Sequence, residues 1–76
     1  MNVNEKEYKW MVEQIVSDLI DMFIESEGYD FARAFETVYA SDTYQALQKP
    51  QTYLYYQSSG YVYALLLSEI RTGKMQ

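Results

Sequence analysis

The sequence predicts an all-α fold: a small, non-parallel bundle of about four helices, with a long first helix and an apolar last helix at its centre. Three observations lead there. The stretch 4–27 is free of Gly and Pro, and its apolar residues recur at three- and four-residue steps, the period of a helix. Two later segments, 31–40 and 60–72, repeat that pattern over shorter lengths. No segment alternates with a partner to pair with, so no sheet is expected. At 76 residues, the chain makes a single domain spanning 1–76, with 1–3 and 73–76 as loose ends.

The first helix opens at Asn4, a suitable N-cap, with Glu7 three residues on as the partner of a capping box. Glu5 and Glu7 place negative charge at the positive end of the helix dipole. Tyr8, Met11, Val12, Ile15, Val16, Leu19, Met22 and Phe23 fall on one side. Glu7, Gln14, Asp18, Asp21 and Glu25 form a polar stripe. A third sector mixes Trp10, Ile20 and Ile24 with Lys6, Glu13 and Ser17. More than half the girth carries apolar groups, so this helix is either enclosed on two sides or offers a second face to another chain. At about 1.5 Å per residue it is roughly 34 Å long.

Gly28 ends that helix in the left-handed conformation. Asp30 caps a second helix over 31–40, with Phe31, Ala34, Phe35, Val38 and Tyr39 as its buried face and Arg33, Glu36 and Thr37 outward. It has about three turns and must dock to persist. Ser41 and Asp42 open a third helix over 42–48, with Asp42 and Gln45 at capping-box spacing and Tyr44 and Leu47 buried. Pro50 stops it. The segment 51–59 is read as a single helical turn or an extended connector whose aromatics cover the core. Ser58 or Ser59 caps the last helix over 60–72. Val62, Leu66 and Ile70 form one face of it, widened by Tyr63 and Leu67, with Tyr61 and Leu65 nearly opposite. Gly73 is its stop.

Composition narrows the function. The chain has no His and no Cys. That removes the usual general base, thiolate chemistry and the commonest zinc ligands. With three scattered Gly there is no phosphate-cradling loop. No enzyme, cofactor or metal site is expected. Asp18, Asp21 and Glu25 share a helix face that would suit a hard cation, but charged residues on such a face are ordinarily its solvated side. The net charge is −5 and the six basic residues are dispersed, so no nucleic-acid stripe forms. No stretch reaches the length of a membrane span, and the N-terminus lacks the apolar core of a signal peptide. The expected setting is the cytoplasm.

Aromatic residues make up 17% of the chain, nine of them Tyr. Tyr53, Tyr55, Tyr56 and Tyr63 form a candidate aromatic pocket or rim, serving either core packing, a protein contact or a planar ligand. Trp10, Ile20, Ile24, Tyr61 and Leu65 form the candidate interface, because two helices carry more apolar surface than so short a chain covers. The expected partner is a protein or a second copy, with a homodimer as the first guess.

The run Ser41-Asp42-Thr43-Tyr44-x-x-Leu47, followed by Thr52-x-Leu54-Tyr55-x-Gln57-Ser58-x-x-Tyr61-Val62-x-x-Leu65-Leu66-x-x-Glu69, covers roughly the last half of the chain. It resembles small uncharacterised bacterial all-helical proteins with a long first helix and a Tyr-containing lead into the last one. Some similar short reading frames look like companions of toxin-type genes. The resemblance implies the helical fold and an antitoxin-like companion of a basic toxin. It transfers no catalytic residue.

Overall fold

A computed structural model describes residues 4–73. Of the expected loose ends at 1–3 and 73–76, residues 1–3 and 74–76 lie outside the described residues, while Gly73 is ordered as a helix cap, its N–H on the Glu69 carbonyl. Four α-helices occur in the order α1 (Glu5–Glu27), α2 (Phe31–Tyr39), α3 (Asp42–Leu47) and α4 (Ser59–Thr72). Two single 3-10 turns, Pro50–Thr52 and Leu54–Tyr56, join α3 to α4. Among the described residues there is no strand.

Each helix starts where its side chains satisfy the orphan backbone donors. The Glu7 N–H donates to Asn4 Oδ1 at 2.8 Å, and the Asn4 N–H donates to Glu7 Oε1 at 3.3 Å, a complete capping box. Asp30 accepts from the Arg33 N–H at 2.8 Å. Ser58 accepts from the Tyr61 N–H at 3.1 Å. Gly28 sits at φ 72° and closes α1 with its N–H on the Phe23 carbonyl, the left-handed stop that glycine adopts without a Cβ clash.

The longest molecular dimension is 37 Å, close to the roughly 34 Å expected of α1 alone. That helix is therefore the axis, and it buries Val12, Ile15, Val16, Leu19, Ile20 and Phe23. Two residues apart on a helix are nearly opposite. Ile20 faces α2, while Asp18, on the other flank, accepts a 2.6 Å hydrogen bond from Ser59 at the start of α4. So α2 and α4 take opposite sides of α1. From α4, Val62 and Leu66 are fully buried between α1 and α3.

Aromatic contacts lock the two ends. Phe23, fully buried, stacks on Tyr29 at 5.2 Å and meets Tyr63 edge-on at 5.0 Å. Arg33 covers the outer face of Tyr29 at 4.1 Å, a cation–π contact. At the other end Tyr8 donates to the Leu47 carbonyl and lies edge-on to Tyr55 at 4.7 Å.

Several local expectations are corrected. The cap of α3 is Ser41, which accepts from the Tyr44 N–H at 3.0 Å; Asp42 and Gln45 form no capping box. The N–H of Asp42 goes instead to Glu69 on α4 at 2.7 Å. The Thr43 N–H and hydroxyl also reach Glu69, at 3.0 and 2.8 Å. A carboxylate from 26 residues away thus neutralises the positive end of a short helix. Ile70 is exposed, because Glu69 draws that turn toward α3 with its polar side. The connector is neither a single turn nor extended: it makes two turns, hinged at Tyr53 with φ 55°.

Candidate functional site

The largest correction concerns α2. Its five apolar residues do not share one buried face. A three-turn helix docks along a narrow stripe, and Ala34 and Val38, four apart, occupy it completely. Phe31, Phe35 and Tyr39 also recur every four residues but are rotated toward one edge. They remain 61%, 42% and 38% exposed.

These rings form a ladder. Phe31 and Phe35 lie 5.8 Å apart, Phe35 stacks on Tyr39 at 4.3 Å, and Tyr39 meets Tyr44 of α3 at 4.7 Å. Rings in register at such distances support one another, so the edge is a preformed surface. Opposite it stands the third sector of α1. Two open hollows lie between. One, of about 220 Å³, is walled by Glu13, Ser17, Ile20 and Asp21 on α1 and by Phe31 and Phe35 on α2. The other, of about 240 Å³, is walled by Val12, Glu13 and Val16 and by Tyr8, Tyr39 and Tyr44. They share Glu13, Val16 and Tyr39, so they form one continuous groove along α1.

The hollow beside Phe31 and Phe35 is mainly apolar with an acidic rim, whereas the hollow nearer the start of α1 is mixed, with Lys9, Glu13 and Gln48 among its walls. Glu13 and Asp21 are exposed, and among the described residues neither has a hydrogen-bond or ion-pair partner. Lys9 borders only the hollow nearer the start of α1. Burial pushes the Tyr44 hydroxyl above its ordinary ionisation range, helped by Tyr39 and then by Glu13. It therefore stays protonated at neutral pH and can donate.

No family model, curated protein or solved structure matches this chain. The site is therefore read from its geometry alone.

The five candidate interface residues do not form one patch. Trp10 is 62% exposed and Tyr61 is 51% exposed. Trp10 and Ser17 are seven residues apart on one side of α1, which puts Trp10 on the groove flank. Tyr61 and the half-buried Leu65 ride on α4, over the opposite flank. Ile20 is 8% exposed, because α2 covers it and leaves only its share of the groove floor. Ile24 is half-buried against the core.

The tyrosine cluster also divides. Tyr55 is a core residue, buried beneath Tyr8. Tyr56 stacks on it at 4.6 Å, and Tyr53 lies 6.2 Å from Tyr56. Tyr53 and Tyr56 form an exposed rim beside the buried Tyr55. Tyr63 is apart from them, against Phe23, with its hydroxyl buried and without a hydrogen-bond partner among the described residues.

Asp18, Asp21 and Glu25 are all exposed. Asp18 is a clamp on α4 through Ser59. No group of three or more acidic residues is placed to hold a metal ion among the described residues. No helix there is long and apolar enough to cross a membrane.

Sequence reasoning missed the ladder because it assigned all five apolar residues of α2 to the core. The signal was available. Ala34 and Val38 already fill a three-turn docking stripe, so the three large rings beside them are surplus.

Proposed function

We propose that this protein is a non-catalytic interaction module, binding another protein or a second copy through the aromatic edge of α2 and the adjoining flank of α1. One observation carries the reading: Phe31, Phe35 and Tyr39 stand in a row of touching rings, each partly exposed, beside an open, mainly apolar hollow. Ala34 and Val38 already dock the helix, and the exposed part of the three rings is apolar area that the fold itself leaves unburied. Aromatic anchors around a concavity are the usual energetic centre of a protein interface. Trp10 extends the same flank.

The proposal includes a bacterial cytoplasmic setting and, in its simplest form, a homodimer. The antitoxin-like version names the same surface and a basic partner, which the acidic rim would suit.

The test is a photo-crosslinking amino acid placed at Phe35, compared with one at Tyr53, in cells expressing the protein. A protein adduct from position 35 and little from position 53 is expected. Light scattering of the purified protein then tells self from non-self. No adduct at position 35 above the level at position 53 would refute the reading.

A further inference from the structure

We propose that the groove between α1 and α2 receives a cationic amphipathic helix of another protein, seated by apolar side chains one to two turns apart. This rests on the reading of the aromatic edge as an interface and adds the class of partner.

The shape argues for a helix. The two hollows follow one another along α1, one walled by Val12 and Val16 and the next by Val16 and Ile20. Their walls are offset by five to six residues, roughly 8 Å along the axis. Volumes of about 240 and 220 Å³ each admit one or two branched side chains. A helix lying in the groove presents anchors at i and i+4, or i and i+7, about 6 or 10 Å apart. These bracket the offset. Among the described residues there is no strand edge to extend, so strand addition has no template.

The charge argues for a cation and against a second copy. Glu13 borders both hollows and Asp21 borders one, neither with a hydrogen-bond or ion-pair partner among the described residues, against one cation, Lys9, at the hollow nearer the start of α1. Glu36 follows Phe35 on α2 and is exposed. No Lys or Arg borders the hollow beside Phe31 and Phe35. The whole chain carries −5, which adds a field of the same sign. A second copy would bring the same acids face to face, whereas Lys or Arg flanking the apolar anchors would pair with Glu13 and Asp21.

The experiment uses a synthetic amphipathic helix of about five turns, with Leu on one face and Lys on the other. Two controls accompany it: the same peptide with Glu for Lys, and a Lys peptide with its Leu positions shuffled. Binding is measured by calorimetry against the intact protein, Phe35→Ala, and Glu13→Gln/Asp21→Asn. All three positions are exposed, and circular dichroism confirms that each variant is folded.

The Lys/Leu helix is expected to bind at least about tenfold tighter than either control. Phe35→Ala should weaken it about tenfold and the double charge variant about threefold to tenfold. Equal binding of the shuffled peptide, or indifference to Phe35→Ala, would overturn the proposal. If the peptide fails while position 35 still crosslinks a protein or a second copy, this proposal falls and the interaction reading stands. If both fail, both fall.

Discussion

Replacing Glu69 with Ala is the most informative change to the fold. The carboxylate accepts from the Asp42 N–H, the Thr43 N–H and the Thr43 hydroxyl at 2.7–3.0 Å. The two N–H groups are orphan donors of the first turn of α3, so no helical carbonyl replaces the lost acceptor. Thr43 is fully buried, and its stranded hydroxyl costs about 1–3 kcal/mol. The Asp42 contact is exposed and adds a few tenths at most. The part-buried Thr43 N–H loses its acceptor as well, about 1 kcal/mol more, so together Glu69→Ala should cost about 2–4 kcal/mol. A chain of this length has roughly 4–11 kcal/mol in all, so the melting temperature should fall by at least about 10 °C. Urea unfolding followed by circular dichroism gives the free energy directly. In a Thr43→Val background the loss should shrink by about 1 kcal/mol, because one of the three partners is already gone. A loss under about 0.5 kcal/mol, as for an ordinary surface residue, would refute the tertiary cap.

Three further outcomes follow from the same structure. Tyr63→Phe keeps the edge contact with Phe23 and removes a buried hydroxyl without a partner among the described residues; thermal unfolding should show a gain of about 0.5–1.5 kcal/mol, and a clear loss would mean that this hydroxyl is paired. Burial raises the pKa of Tyr8, Tyr44 and Tyr55 above the ordinary tyrosine value, with neighbouring tyrosines adding to it. The folded state therefore holds these protons more tightly than the unfolded chain, so stability is fully present below about pH 10 and declines as pH rises above it. Absorbance titration should show part of the phenol signal appearing only on unfolding; one reversible wave from all nine Tyr with the fold intact would contradict this. Gly28→Ala should cost about 1 kcal/mol from the left-handed backbone at φ 72° alone, measured by urea midpoint, and a neutral result would mean that the turn relaxes.

What was legible in the sequence was what local physics decides. Asn4, Asp30 and Ser58 announce helix starts because a side-chain oxygen reaches an N–H three residues on. Gly28 announces a stop for the reason just given. The faces of α1 were readable as well, including the third sector that became the groove wall. What was not legible depends on how elements meet. Nothing near Phe35 shows that α2 rolls onto Ala34 and Val38. Nothing near Thr43 reveals an acceptor 26 residues downstream. The left-handed Tyr53 carries no glycine to mark it. Helical projection singles out the five interface candidates, and it places residues around each rod without saying which flank the next rod takes.

The most direct measurement uses the three Phe of the chain, one fully buried and two on the aromatic edge. Fluorine labels on the rings give one resonance each, and the shift between light and heavy water reports contact with solvent. In the dilute protein the labels at Phe31 and Phe35 should respond while the label at Phe23 is silent. On addition of the cationic helix, or on self-association, the two responsive signals should lose that sensitivity together. Silence of all three in a dilute monomer, or continued response of Phe31 and Phe35 in a saturated complex, would contradict the assignment of this edge as the binding surface.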